Sequence, residues 1–266
     1  MPVIRIERIE DPRLDDYRNV SDAELLRQRK LFIGEGRLVV RRLLSSGHPV
    51  ASLLLNEPSF KSLEGDLRAA SGDIPVYICP TAELADIVGF NLHRGCLALA
   101  PRPAAQAAAD ITHAAKLLLV LEGVSDADNV GTAFRNAAAF GVDGVLLRAC
   151  CDPLYRKAVR TSMGHVLQVP HARVSDLAAA MAALKSSGFT VMALTPAEHA
   201  TPLSAFVRSA SSHGKIAVLA GSEADGLSAR AMALADACVR IPMHRGVDSL
   251  NLSTAIAIVL DRLTNP

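Results

Sequence analysis

The chain has 266 residues, half of them hydrophobic, and a formal net charge of +1 at pH 7. This length can bury a sizeable core and favours two ordinary domains. The near-neutral charge excludes a protein that coats nucleic acid by bulk electrostatics, although local basic faces remain open. Every apolar run is shorter than the roughly 20 residues that a membrane span requires, so we expect no membrane partner.

The cysteines and the amino-terminal residues both indicate a cytoplasmic protein. The five cysteines form an odd set without CxxC or Cys/His metal spacing, which predicts reduced thiols and neither disulfides nor a metal site. Residues 1–14 alternate apolar and charged side chains, whereas a signal peptide has a charged region followed by an apolar one. We therefore expect a soluble protein of the cytoplasm.

Residues 1–102 predict a small α/β domain. The alternation over residues 3–8 is typical of a strand, and Ser21 followed by Glu24 is typical of a helix start. Further elements are expected as a helix near 35–45, strands at 51–55 and 76–79, a helix at 82–88 and a strand at 95–100. The Pro- and Ala-rich sequence that begins at Pro101 predicts a linker over residues 103–114.

Residues 115–266 alternate strand and helix patterns and predict a second domain. The expected strands are 116–121, 144–147, 166–169, 190–194, 216–220 and 237–241, and the expected helices are 129–140, 153–162, 175–187, 228–235 and 251–263. The strands are short, apolar and rich in β-branched residues. We therefore expect a mostly parallel sheet with helices on both faces.

Polar segments follow three strands of this second domain, at residues 129–135, 221–226 and 246–253. Because open α/β sheets bind ligands at the carboxyl ends of their strands, these segments predict one converging site. Neither GxGxxG nor GxxxxGK[ST] follows the first strand. Their absence from the sequence argues against a dinucleotide-dependent dehydrogenase and against a nucleoside triphosphate site.

The same segments resemble the three motifs of SpoU/TrmH-type RNA ribose 2′-O-methyltransferases. They read NVGTAFRN at 129–136, GSEADGL at 221–227, and IPM at 241–243 leading into DSLNLSTA at 248–255. Residues 1–102, including HRGCLAL at 93–99, resemble the ribosomal-protein-like substrate-binding domain often found in front of them. The resemblance implies an α/β fold of the SPOUT superfamily with a trefoil knot, preceded by a small α/β RNA-binding domain.

This resemblance also implies a cofactor, a substrate and an assembly. The cofactor is S-adenosylmethionine, held in a bent pose by main-chain groups of the knotted loops. The residues at the family's cofactor positions are Thr195, Gly221, Ile241, Pro242, Met243 and Leu250. The expected substrate is a ribose 2′-hydroxyl of ribosomal or transfer RNA, and the expected assembly is a homodimer.

Five residues occupy the family's catalytic positions: Asn129, Arg135, Glu223, Ser249 and Asn251. Since a guanidinium almost never deprotonates in a protein, we expect Arg135 to bind the phosphate beside the target ribose and to stabilise the forming alkoxide. The proton acceptor stays open. Glu223 is expected to orient Asn129 or Arg135. Ser249 and Asn251 are expected to shape the surroundings of the hydroxyl. The alternatives are helix capping by Asn129, Ser249 or Asn251, a turn carboxylate at Glu223 and a plain surface charge at Arg135.

Two local surpluses of positive charge are the expected RNA contacts. Residues 18–42 hold seven Lys or Arg against three acids, and residues 148–160 hold four against one. Within them we select Arg37, Arg41 and Arg160 as RNA-binding candidates. The chain has no Trp and only three Tyr, so recognition by shape and phosphate contacts is favoured over base stacking.

Two other functions remain open at this point. One is base methylation by another SPOUT enzyme, although the Asn129 and Arg135 pair favours ribose chemistry. The other is a catalytically silent RNA-binding or ribosome-assembly factor that keeps the fold. The presence of Arg135, Glu223 and Asn251 argues against this second alternative.

Overall fold

A computed structural model describes residues 1–18, 21–89, 95–210, 214–244 and 246–265. The chain divides into two compact units, one of residues 1–104 with 153–167 and one of residues 105–152 with 168–266. From the sequence we placed residues 153–167 in the second domain, whereas in the structure they pack with the first unit. Of the HRGCLAL segment, His93 and Arg94 lie outside the described residues.

The strands and helices alternate through most of the chain. The strands are β1 (Val3–Arg5), β2 (Leu31–Glu35), β3 (Ser52–Leu55), β4 (Val76–Ile78), β5 (Cys96–Pro101), β6 (Leu117–Glu122), β7 (Gly144–Arg148), β8 (His171–Arg173), β9 (Phe189–Leu194), β10 (Thr201–Pro202), β11 (Lys215–Gly221) and β12 (Ala237–Arg240). The helices are α1 (Asp22–Glu24), α2 (Arg37–Ser45), α3 (Glu57–Ala69), α4 (Thr81–Val88), α5 (Ala108–Ala114), α6 (Ala127–Ala139), α7 (Arg156–Thr161), α8 (Leu177–Ser186), α9 (Leu203–Ala210), α10 (Ala229–Leu234) and α11 (Leu252–Thr264). Within the described residues, no helix is long and apolar enough to cross a membrane.

The first unit contains a mixed sheet in the order β1-β4-β3-β5-β2. The strands β1, β4 and β3 run parallel, and β5 runs antiparallel to both β3 and β2. The helix α2 buries Val39, Val40 and Leu43, which recur at helical spacing, on one face. This unit corresponds to the small α/β domain expected from residues 1–102.

The second unit contains a fully parallel sheet in the order β10-β12-β9-β11-β6-β7-β8. Its central strands are continuous apolar runs: Leu118, Leu119 and Val218, for example, are fully buried. Such runs are typical of parallel strands covered by helices on both faces. The expected α/β architecture is therefore confirmed. The helix α11 packs beside α6, where Asn136 Nδ2 donates to the Ser253 carbonyl at 2.7 Å.

Several elements differ from the sequence-based expectations. The prediction of a strand at 166–169 is wrong. A short helical turn occupies His165–Leu167, and the strand begins later, at His171. Val166 and Val169 are buried there, but burial of a short apolar run does not by itself specify an extended backbone. The strand β2 and the helices α3 and α9 were not predicted. The region expected to be a linker contains the helix α5.

Candidate active site

The carboxyl ends of β9, β11 and β12 border a cavity of about 400 Å³ in the second unit. These strands are neighbours, with β9 between the other two, and all three run parallel. The segments that follow them therefore emerge side by side. Thr195 continues β9, since its N–H donates to the Val239 carbonyl of β12 at 3.0 Å. The cavity has the size of a small-molecule site and lies where the sequence predicts one.

One wall of the cavity is a tight turn that follows β11 and folds back over Gly221. The Gly226 N–H donates to the Ser222 carbonyl at 3.0 Å, and the Asp225 N–H donates to Ser222 Oγ at 3.1 Å. A Cβ added to Gly221 would lie 2.2 Å from both the carbonyl carbon and the carbonyl oxygen of Gly226. The close approach of the turn therefore requires glycine at this position.

Asn251 connects three segments of the site through its side chain. Its Nδ2 donates to Glu223 Oε1 and, at 3.3 Å, to Asn129 Oδ1. Its Oδ1 accepts from two main-chain N–H groups in the first turn of α11 and so caps that helix. Glu223 Oε1 also accepts from the Leu252 N–H at 3.0 Å. One side-chain amide thus joins residues from all three sequence motifs.

Asn129 lies in the first turn of α6, and another residue caps this helix. Asp126 Oδ1 accepts from the main-chain N–H groups of Asp128 at 2.7 Å and of Asn129 at 3.0 Å. Because Asp126 satisfies these donors, the side chain of Asn129 is left for its bond to Asn251. The capping alternative for Asn129 is therefore not what the structure contains, whereas Asn251 both caps a helix and contacts the site.

Arg135 lies apart from this cluster. Six residues of α-helix separate it from Asn129 by about 9 Å along the axis and place it on a different side of α6. Arg135 is exposed, does not line the cavity, and makes no hydrogen bond or ion pair with any residue that the structure describes. We expected Glu223 to orient Asn129 or Arg135. The structure connects it to Asn129 through Asn251 and leaves Arg135 out.

Most of the predicted cofactor residues come together at the cavity. Its lining contains Thr195, Gly221, Ile241, Met243 and Leu250 together with the catalytic candidates Glu223 and Ser249. Pro242 is exposed and does not line it. Asn251 follows Leu250 directly, so the hydrogen-bonded cluster borders the cavity.

Several residues that shape the site carry no motif signal. Met232 of α10 lines the cavity. Glu122 ends β6, is only 4% exposed, and accepts hydrogen bonds at 3.0 Å from both the N–H and the Oγ of Ser228. The available signal was a carboxylate that closes an otherwise apolar strand, LLLVLE, because a buried charge requires partners.

Two neighbouring cysteines of the second unit, Cys150 and Cys151, are poorly suited to act as bases. Burial raises the pKa of Cys151 to about 12 and also raises the pKa of Cys150 above its ordinary value. Both thiols therefore stay protonated near neutral pH. Within the described part of the chain, no group of three or more His, Cys, Asp or Glu side chains is arranged to hold a metal ion.

Two of the three RNA-binding candidates border one cavity of the first unit, of about 470 Å³. Arg37 and Arg160 line it, and Arg160 Nη1 lies 3.2 Å from the buried carboxylate of Glu35. Arg41 does not line this cavity and instead forms an ion pair with Asp66 at 2.9 Å. The pair Arg37 and Arg160 therefore combines two guanidinium groups with a concave surface.

The residues that form this site match a known protein family. The family model described as the SpoU rRNA Methylase family matches residues 116–261. The chain belongs to this family. The matched residues contain all three motifs and the whole cavity lining, so the resemblance inferred from the motifs is confirmed.

Relatives of the SpoU rRNA methylase family extend the match to nearly the whole chain. An uncharacterized tRNA/rRNA methyltransferase of Mycobacterium tuberculosis is 42% identical over 254 residues, which cover 94% of this chain and 87% of the relative. As a family member with relatives of this kind, the chain is an RNA methyltransferase.

Solved structures of RNA methyltransferases share the fold. An rRNA methyltransferase of Sinorhizobium meliloti with bound AdoMet superposes with a TM-score of 0.80 at 24% identity, covering 98% of this chain and 97% of that one. A structure described as an RNA 2′-O ribose methyltransferase gives a TM-score of 0.75 at 24% identity over 98% and 97% of the two chains. The expected SPOUT-type α/β fold is therefore confirmed.

Proposed function

We propose that this chain transfers a methyl group from S-adenosylmethionine to a ribose 2′-hydroxyl of ribosomal or transfer RNA in the cytoplasm. The observation that supports the proposal most directly is the position of the Asn129, Asn251 and Glu223 cluster. Asn251 is hydrogen-bonded to both Asn129 and Glu223 at the border of the cavity, and each of the three belongs to a different motif.

The cavity at the strand ends suits this cofactor. Its volume of about 400 Å³ lies within the range of small-molecule sites. The absence of a side chain at Gly221 lets the turn fold closely over the end of β11, which places the turn in the cavity wall. Ile241, Met243 and Leu250 add apolar surface for an adenine ring or a methionine chain. When bound, S-adenosylmethionine supplies an electrophilic methyl group on a sulfonium.

The hydrogen-bonded cluster would orient the attacking hydroxyl. A ribose 2′-hydroxyl is a weak nucleophile until its proton is drawn away or its developing charge is stabilised. Asn129 lies beside the cavity with its Oδ1 held by the Asn251 amide, and Glu223 holds that amide in place. The proton acceptor stays open in this proposal. Ser249, which lines the same cavity, is positioned to contact either reactant.

Arg135 would act from a second copy of the chain. Its guanidinium is exposed and unpaired within the described residues, yet the resemblance assigns it to the catalytic set. A homodimer that brings this residue to the partner's cavity would reconcile both facts. There its fork of donors would bind the phosphate beside the target ribose and stabilise the forming alkoxide.

The first unit would hold RNA through phosphate contacts. Arg37 and Arg160 line one cavity, and guanidinium groups in such a position bind phosphates in bidentate fashion. Arg41 and Arg160 both have carboxylate partners, Asp66 and Glu35, but Arg41 does not line the cavity, so we expect a smaller contribution from it. Neither the particular RNA nor the nucleotide follows from these contacts, because phosphate contacts fix register and carry no sequence information.

Nucleoside analysis after methyl transfer tests the proposed function. Purified protein is incubated with ribosomal and transfer RNA and with S-adenosylmethionine carrying an isotopic label on its methyl group. The RNA is then digested to nucleosides and analysed by mass spectrometry. The proposal predicts label on the ribose. Label on a base would identify a SPOUT base methyltransferase, and absence of label from every RNA, despite tight RNA binding, would favour a silent assembly factor.

A further inference from the structure

We propose that Glu122 is a positioning residue for the cofactor cavity, because its buried carboxylate closes the loop of residues 221–228 that forms one cavity wall. The proposal rests on the proposed function in one respect, namely that this cavity takes S-adenosylmethionine. No motif contains Glu122, and its side chain does not line the cavity. Its effect on the ligand would therefore pass through the loop.

Glu122 meets both ends of this loop. In the sheet register Glu122 of β6 pairs with Gly221 of β11, where the loop leaves the strand. Its carboxylate reaches Ser228, where the loop ends: Oε2 accepts from the Ser228 N–H and Oε1 from Ser228 Oγ, each at 3.0 Å. One residue thus holds together two points that are seven positions apart in the chain.

Because this carboxylate is buried, it depends on its hydrogen bonds and its ion pair. Glu122 is 4% exposed, and the cation that faces it is Arg148, whose Nη1 lies 3.4 Å from Oε1. A buried carboxylate is tolerated when it is paired and hydrogen-bonded, as here. Its removal would take away the acceptor of both the Ser228 N–H and the Ser228 Oγ, which are the two hydrogen bonds that tie this exposed loop end to β6. The loop end would therefore be released from the sheet.

Ser228 transmits the same constraint to the helix α10. Its Oγ caps α10 by accepting from the Ala231 N–H at 3.1 Å. Met232, one residue further along α10, lines the cavity. Glu122 therefore fixes the turn of residues 222–227 and also the start of the helix behind it. A wall that is already ordered binds a ligand more tightly, because less freedom is lost on binding.

Two measurements on the full-length E122A variant test this role. Hydrogen exchange without any ligand should show faster exchange at amides 222–228, while the amides of β6 and β11 stay protected. Calorimetric titration should show a dissociation constant for S-adenosylmethionine raised about 10-fold or more, as for other residues that orient a binding site from behind. At saturating S-adenosylmethionine, kcat should change far less than this dissociation constant. E122Q, which keeps an acceptor for the Ser228 N–H, should lie between wild type and E122A.

D143A is the matched control, because Asp143 binds the opposite end of the same strand. Its Oδ2 accepts from the main-chain N–H groups of Lys116 at 2.7 Å and Leu117 at 2.9 Å. This variant should lose thermal stability and leave both the loop exchange and the dissociation constant unchanged. The positioning role is wrong if D143A weakens the binding of S-adenosylmethionine as much as E122A does. It is also wrong if E122A and E122Q leave the hydrogen exchange of the loop unchanged. Wild-type protein that fails to bind S-adenosylmethionine would instead contradict the proposed function, and the exchange data would still decide whether Glu122 closes the loop.

Discussion

Asn251 donates its side-chain amide to the carboxylate of Glu223 while its own oxygen caps α11. The residue thus has two roles, one in the candidate site and one in the stability of a helix. These roles depend on different atoms, the nitrogen for the site and the oxygen for the cap. A substitution that changes the nitrogen alone can therefore separate them.

The N251D variant makes this separation. Aspartate caps helices about as well as asparagine, so the free energy of unfolding should change by less than about 1 kcal/mol. The new carboxylate would face Glu223 without a shared proton and repel it, so methyl transfer should fall about 100-fold. Thermal unfolding and initial rates of methyl transfer measure the two effects. N265D, which adds the same charge at the other end of α11, is the control and should keep full activity. Full activity of N251D would show that the amide has no role in the site.

Substitution of Arg135 is expected to change catalysis and to leave the stability of the fold unchanged. Because its side chain is exposed and has no partner among the described residues, R135A should unfold at the wild-type temperature. If this residue binds the phosphate and the developing charge, kcat should nevertheless fall about 100-fold or more. R135K keeps the charge without the planar fork and should recover only part of the activity.

The matched control for this prediction is R262A, which removes another exposed arginine, near the end of α11. It should leave both stability and kcat at the wild-type level. Wild-type kcat for R135A would identify Arg135 as a plain surface charge. A mixture of R135A with a variant lacking Asn251 would also test the dimer, since activity restored in mixed dimers requires residues from two copies.

G221A tests the tight turn at the cavity. The added Cβ would lie 2.2 Å from the Gly226 carbonyl, so the turn must move out of its position. We expect the variant to lose the rise in Tm that S-adenosylmethionine causes in wild type by binding the folded state. G214A is the control near the start of the same strand, because a Cβ there has nothing within 4 Å. An unchanged ligand-induced shift in G221A would mean that the cofactor binds elsewhere.

Asp236 gives the second unit a pH-dependent contribution to stability. Burial alone would raise the pKa of Asp236, but hydrogen bonds from Lys185 and from the Val191 N–H outweigh it and hold this pKa below its ordinary value. A lowered folded-state pKa stabilises the protein above the unfolded-state pKa, and the contribution disappears as the pH falls through the folded-state value. D236N should therefore have a lower Tm than wild type at pH 7, and the difference should close below about pH 4. A difference that is the same at all pH values would exclude this linkage.

Much of the fold was predictable because its strongest signals are local. The central strands β6 and β11 are uninterrupted apolar runs, and such runs are hard to mistake when the sheet is covered on both faces. The strand β2 was missed because its sequence, LFIGE, leads directly into the amphipathic helix α2. The helix α9 has only eight residues and a short apolar face around Leu203 and Phe206.

The candidate site was predictable wherever a motif residue borders the cavity directly. Gly221 and Leu250 are examples, because the strand pattern places both at the carboxyl edge of the sheet. The contact between Glu122 and Ser228 joins residues 106 positions apart, and no local pattern specifies such a pair. The isolation of Arg135 from Glu223 likewise depends on how α6 is rotated in the packed unit. Such relationships come from tertiary structure and not from spacing along the sequence.

The central claim is that the cavity at the ends of β9, β11 and β12 binds S-adenosylmethionine. Calorimetric titration of the wild-type full-length protein tests it most directly. We predict saturable binding of one S-adenosylmethionine per chain with a dissociation constant in the micromolar range. A folded protein that releases no heat with S-adenosylmethionine at high micromolar concentration, and shows no rise in Tm with it, would contradict the claim.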